Sequence, residues 1–247
     1  MRGTPPDEDE RVIKPLVRKA LGHKTLGVID YFRSPRLKNR FGGPFNGQEH
    51  RQRIFLELLD LSQPRAIIET GTYRGATTKF LHYASGLPVY TVELDPRCYG
   101  YSKTRFFLNQ NIFCHLGDSR SFLNEILAHD PFRRRNIFFY LDAHWGEDLP
   151  LQEEIEIIFG NCPQAVVMVD DFKVPGDDGY RYDTYKNGKS LTIELLDPLS
   201  TLGLTFYFPS LRSELETGGK RGCAVIALSS EITAKLERAL TLKPFSH

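Results

Sequence analysis

Short apolar runs alternate with amphipathic stretches along most of this 247-residue chain. Ala66–Ile68, Pro88–Leu94, Asn111–Leu116, Asn136–Leu141 and Ala165–Val169 are too short for helices and read as strands buried in a parallel sheet. Between them, Gln48–Leu61, Arg97–Asn109, Arg120–His129 and Leu149–Phe159 read as helices. In the first of these, Ile54, Leu56, Leu58, Leu59 and Leu61 are expected to face the core. Ser190–Leu199 is a further expected helix. Leu204–Phe208 and Cys223–Leu228 read as a strand pair joined through Ser210–Gly222, and Glu231–Leu240 as a closing helix. Seven strands alternating with helices predict an α/β fold with a doubly wound sheet. Right-handed crossovers bring the carboxyl ends of the parallel strands to one edge, and ligands of such sheets bind beyond that edge.

The first 45 residues stand apart from this alternation. MRGTPPDEDE is polar and acidic, and reads as a loose tail rather than a signal peptide. Arg11–Leu21 has near-helical apolar spacing and Gly22 would stop it. Arg33–Gln48 is a basic connector with glycines and prolines. The expected division is 1–45 as tail, short helix and connector, and 46–247 as the main domain.

Composition narrows the class without naming a function. Hydrophobic content of 40%, charged content of 26% and a net charge of +1 describe an ordinary globular chain. They give no reason to expect nucleic acid or a membrane as partner, and the basic runs at Arg33–Arg40 and Arg133–Arg135 read as solvated turns. Cys98, Cys114, Cys162 and Cys223 are scattered, with no zinc-like spacing. A reducing compartment and a cytoplasmic protein are expected.

Candidate chemistry begins at Arg65–Thr78, RAIIETGTYRGATT. A strand ends in Glu69, Gly71 and Gly75 frame a tight turn, and a helix follows, so backbone N–H groups are left free at the helix start. The pattern is E-x-G-x-x-x-G and lacks the G-x-G that admits a pyrophosphate. A carboxylate at this place repels a pyrophosphate but accepts from an ammonium group. S-adenosylmethionine (SAM), which carries an amino acid moiety, fits; an ordinary strand–turn–helix of another α/β domain is the alternative. Glu93, at the end of the second strand, is placed to accept from ribose hydroxyls of either an NAD or a SAM ligand, with a solvated strand-end acid as the alternative. Asp118 and Ser119, after the third strand, either hold an adenine edge or cap the next helix.

The fourth strand runs into Asp142-Ala143-His144-Trp145 and the fifth into Asp170-Asp171-Phe172. Three carboxylates on two neighbouring strand ends repel one another unless a cation or protons intervene. An all-oxygen set suits Mg²⁺ or Ca²⁺, with Asp142, Asp170 and Asp171 as ligands; helix or loop capping is the alternative. His144 suits proton transfer near neutrality or the orientation of a ligand. Trp145 suits packing over an adenine or substrate ring, with plain core packing as the alternative.

The ordered set IIETGTYRGATT, VYTVELDP, LGDS, YLDAHW and VMVDDF resembles the class I SAM-dependent methyltransferases. It is most similar to the metal-dependent O-methyltransferases of the catechol and macrocin types, over roughly Gln48 to Leu228. The resemblance implies a Rossmann-like seven-stranded sheet, mostly parallel with the last strand antiparallel. It implies that Glu69, Gly71, Thr72, Tyr73 and Gly75 hold the methionine part of SAM, with Thr77 nearby. Glu93 would then hold the ribose, Asp118 and Ser119 would lie beside the adenine, and Asp142, Asp170 and Asp171 would bind magnesium. Asn46–Gln48 resembles a segment that closes over the cofactor.

One departure bears on mechanism. The lysine base of the catechol type has no counterpart near Trp145 or Gly146, so either His144 or an aspartate such as Asp142 removes the proton, or the acceptor hydroxyl loses it mainly through the metal. The expected activity is methyl transfer to a hydroxyl of a small sugar-like or phenolic molecule. A hydroxylase-like relative on the same scaffold, a nicotinamide-dependent oxidoreductase and a non-catalytic SAM- or metal-binding module are the alternatives. Lys173–Ser190, polar and rich in tyrosine, is long for a βα loop and reads as a substrate lid, with a disordered surface loop as the alternative. The N-terminal segment is expected to complete the opposite wall or to form a homodimer contact.

Overall fold

A computed structural model describes residues 22–129, 132, 136–143, 148–185 and 188–245. The expected helix at Arg11–Leu21, His144, Trp145 and the basic run at Arg133–Arg135 lie outside the described residues. The strands are β1 (Ile67–Thr70), β2 (Val89–Glu93), β3 (Ile112–Leu116), β4 (Phe138–Leu141), β5 (Val166–Asp170), β6 (Thr205–Pro209), β7 (Cys223–Ala227) and β8 (Leu242–Pro244). The helices are α1 (His23–Arg33), α2 (Glu49–Ser62), α3 (Ala76–Ser85), α4 (Pro96–Arg105), α5 (Ser119–Ala128), α6 (Leu151–Asn161) and α7 (Ser230–Leu236).

The strands form one sheet in the order β3-β2-β1-β4-β5-β7-β6-β8. Strands β1 to β5 pair in parallel, while β7 runs antiparallel to both β5 and β6. The doubly wound reading and the reversed seventh strand therefore hold. The strand count is corrected to eight, because β8 adds an antiparallel edge beside β6. Every residue of β1, β4, β5 and β7 is buried, as expected for central strands covered on both faces. On one face Phe122, Leu123, Ile155, Ile158 and Leu196 pack against Phe139, Val167 and Ile226. On the other, Phe55, Leu58, Leu81, Phe106 and Ile232 pack against Ile67, Phe138 and Val225.

Three local readings are corrected. The expected helix at Ser190–Leu199 is a 3-10 segment, Ile193–Leu202, with Pro198 inside it; proline cannot donate to an α-helical ladder. Leu56 of α2 is 45% exposed, whereas Arg51 is buried beside Ile54, Phe55 and Leu58 on the core stripe. Helix α1 was not expected. It lies against α4, where a Cβ on Gly27 would stand 1.9 Å from the Arg97 carbonyl oxygen and one on Gly100 would stand 2.1 Å from that of Lys24. Arg97 clamps the crossing by donating through Nε to Asp30 at 2.6 Å.

The sheet order changes direction between β1 and β4, the place where doubly wound sheets open a crevice at their carboxyl edge. Gly71 leaves β1 at that point with φ 89°, and a Cβ there would sit 2.2 Å from the Asp142 carbonyl oxygen. Only glycine meets both conditions without displacing β4.

Candidate active site

Two clefts open side by side at this edge, and Gly71 and Tyr73 line both. The first, about 570 Å³, is lined by Thr72, Thr77, Asp142, Asp170 and Asp171 among others. The second, about 430 Å³, is lined by Glu93, Asp118 and Ser119, with Val92, Leu94, Pro96, Cys98 and Pro150 as apolar walls. Gly71, Thr72, Tyr73, Thr77, Glu93, Asp118, Ser119, Asp142, Asp170 and Asp171 thus surround a two-lobed cavity, whereas the expected Gly75 lines neither lobe. The expected His144 lies outside the described residues.

The turn between β1 and α3 is held by carboxylates. Tyr73, at φ 48°, donates its backbone N–H to Glu93 Oε2 at 2.6 Å, and Asp95 donates to Glu93 Oε1 at 2.8 Å. Burial raises the Glu93 pKa above the usual range. Thr72 and Thr91 share a hydroxyl hydrogen bond of 2.5 Å. Gly75 starts α3 in the left-handed region. Asp118 caps α5 by accepting from the backbone of Arg120 at 2.9 Å, so its capping role is real although it also lines the second cleft. The Arg120 guanidinium, bonded to Asp118, holds that carboxylate below the usual range.

Glu69 does not line either cleft directly. It is 1% exposed beneath the turn, where Oε2 accepts from Thr78 at 2.5 Å and from Thr91 at 2.6 Å. Among the described residues Oε1 has no partner. Burial pushes the carboxyl up to about 7, with the charge of Glu93 adding to it. A buried acceptor left open beneath a glycine turn is a costly arrangement that a donor would relieve. Together with the half-apolar second cleft, it fits a ligand with an ammonium group and an aromatic base, as SAM has.

The acid cluster converges as expected, but guanidinium groups already serve it. Asp170 is 1% exposed. Its Oδ1 accepts from Arg51 Nη1 and, at 2.7 Å, from the Asp171 backbone; its Oδ2 accepts from the Tyr140 hydroxyl at 2.5 Å. Asp171, at φ 55°, accepts at Oδ1 from Arg221 Nε at 2.5 Å, and Arg221 Nη2 reaches Asp183. No hydrogen bond or ion pair among the described residues reaches the Asp142 carboxylate. Its depth in the site raises its pKa well above the usual range, and Asp171 and Glu69 add to the shift. Among the described residues no three His, Cys, Asp or Glu side chains are disposed to hold an ion. The donor chemistry suits an oxygen-preferring cation, but with Arg51, Tyr140 and Arg221 on these oxygens the arrangement does not fit one.

The segment after β5 is anchored rather than loose. Tyr180 is 1% exposed and donates to the Leu211 carbonyl at 3.0 Å, and Asp177 accepts from Ser213. Of this stretch, Asp171, Arg181 and Asp183 line the first cleft. The basic connector supplies the opposite wall through Arg40, Phe41, Gly43 and Asn46. Sequence reasoning missed Arg51 and Arg221. The one signal for Arg51 was an arginine on an otherwise apolar helix stripe.

No protein-family profile matches the sequence, and no curated protein is similar to it in sequence. Solved structures do share its architecture. An O-methyltransferase from Bacillus cereus in complex with SAH superposes with a TM-score of 0.55 at 16% identity, over 90% of this chain and 94% of that one. The O-methyltransferase TomG from Streptomyces achromogenes, involved in tomaymycin synthesis and solved with SAM, gives 0.51 at 17% identity, over 73% and 80%. An SAH-bound methyltransferase from Podospora anserina gives 0.51 at 10% identity, over 93% and 100%. The chain shares its fold with these solved methyltransferases. Among the described residues no helix is long and apolar enough to cross a membrane.

Proposed function

We propose that the protein is a SAM-dependent methyltransferase acting on a hydroxyl of a small polar acceptor. The observation that carries this reading is the two-lobed cavity hinged at Gly71 and Tyr73, with apolar walls and Glu93 on one side and carboxylates on the other. Bound across the hinge, SAM would supply an electrophilic methyl group. Glu69 and the turn would receive its amino acid part, Glu93 its ribose, and the walls around Ser119 its base. The acceptor would lie in the first cleft between the connector and Asp183.

Asp142 is the carboxylate best placed to take a proton from the acceptor. It faces the first cleft without a partner among the described residues, and burial beside Asp171 and Glu69 raises its affinity for a proton. Positioning then supplies much of the rate, because the two reactants are held in adjoining lobes. The charged lining, with Arg40, Arg181 and Asp183, suits a hydroxyl-rich acceptor better than an apolar one.

Calorimetric titration tests the cofactor half of the reading. SAM is expected to bind and NAD to give no signal. Glu93→Ala is expected to weaken SAM by about 10- to 100-fold, the worth of hydrogen bonds to a charged acceptor. Equal SAM affinity in that variant, or no SAM binding by the unaltered protein, would remove the assignment.

A further inference from the structure

Arg221 is fixed at both ends. Its backbone N–H donates to Gln48 Oε1 at 2.7 Å, and its carbonyl accepts from Gln48 Nε2 at 2.9 Å and from Arg51 Nη2. Its guanidinium spans Asp171 and Asp183, and those two carboxylates outweigh the effect of burial and keep it firmly charged. Arg51, 1% exposed, is paired with Asp170. The charge that a divalent ion would balance at the ends of β4 and β5 is thus balanced by two side chains from α2 and from the loop before β7. An ion that took Asp170 Oδ1 and Asp171 Oδ1 would have to displace both guanidinium groups. If they stayed, its own charge would stand beside them.

We propose that Arg51 and Arg221 take the place of a divalent ion, so that the centre operates without bound metal. Arg221 is then the positioning residue that joins the floor of the acceptor cleft to its wall. A guanidinium suits this task because its planar fork holds two carboxylates in a fixed geometry. It bonds Asp171 on the floor and Asp183 on the wall. Asp183 is also tied back, its backbone N–H donating to the Asp171 carbonyl at 3.0 Å. The inference rests on the methyltransferase reading for its use, but not for its test.

The test is titration of Mn²⁺ into the purified full-length protein, with free ion followed by electron paramagnetic resonance, which needs no acceptor. The unaltered protein is expected to bind no Mn²⁺ at this centre, with or without SAM. Arg221→Met, and Arg221→Gln as a second variant should the first fail to fold, leave Asp171 uncompensated. They are expected to raise Mn²⁺ affinity at least about tenfold, and Asp171→Asn added to either should cancel the gain. Stoichiometric binding by the unaltered protein that Asp171→Asn abolishes would overturn the inference. So would Arg221 variants that fold and remain as indifferent to Mn²⁺ as the parent. SAM calorimetry on the same samples separates the two ideas: Mn²⁺ and SAM both binding overturns only this inference, whereas absent SAM binding overturns the methyltransferase reading.

Discussion

Replacing Arg51 by methionine is expected to lower the unfolding free energy by about 3–5 kcal/mol, the cost of stranding one member of a buried ion pair. Arg51 and Asp170 are each 1% exposed, so water cannot stand in for the lost guanidinium. The Tyr140 hydroxyl and the Asp171 backbone would still donate to Asp170, but neither carries a charge to offset the carboxylate. The stranded Asp170 would acquire a raised pKa in the folded state. An acid raised on folding costs stability as pH climbs, so the deficit should be larger at pH 8 than at pH 5. Adding Asp170→Asn removes the charge and should restore most of the loss. Urea unfolding of the two single variants and the double variant completes the cycle. If Arg51→Met unfolds like the parent at both pH values, Asp170 is compensated by something other than this arginine.

The same pair marks how far the sequence could be read. The parallel strands were legible because central strands must be apolar on both faces, and FFYL and VVMV admit few other readings. The acids at their ends were legible because polar residues that close such runs fall at the carboxyl edge. Their partners were not, because Arg51 lies 119 residues from Asp170 and Arg221 lies 50 residues from Asp171. Only the packing of α2 and of the loop before β7 against the sheet edge brings them together. Helix α1 escaped notice because its contact with α4 rests on Gly27 and Gly100 rather than on an apolar stripe. Strand β8 is a three-residue edge containing Pro244, too short and too polar to stand out. The tyrosines after β5 suggested a lid by composition, yet Tyr180 belongs to the core; an aromatic ring in a polar stretch reads the same whether it turns inward or toward a ligand.

Glu69 should make both stability and SAM affinity depend on pH, in opposite directions. Burial raises its carboxyl from the ordinary 4.5 to about 7. The unfolded chain therefore releases this proton first, and the ligand-free protein loses stability as pH rises from about 4.5 to about 7. A shift of that size is worth about 3 kcal/mol at full ionisation. Glu154 on α6, also pushed up to about 7 by burial, contributes a second loss of the same sign. Glu69→Gln and Glu154→Gln should each flatten the decline of melting temperature with pH and leave the ligand-free protein more stable above neutrality. Binding distinguishes them. If the open Oε1 of Glu69 receives the ammonium of SAM, affinity rises as the carboxyl ionises, until the ligand's own amine begins to lose its proton near about 8. Glu154→Gln should keep that rise. Glu69→Gln should abolish it and weaken SAM by about tenfold or more at neutral pH. Calorimetry in buffers of different ionisation enthalpy would register the proton released on binding in the parent and not in Glu69→Gln. A Glu69→Gln protein that binds SAM with the parent's pH dependence would place the ammonium elsewhere and leave Glu69 as a purely internal acid beneath the turn.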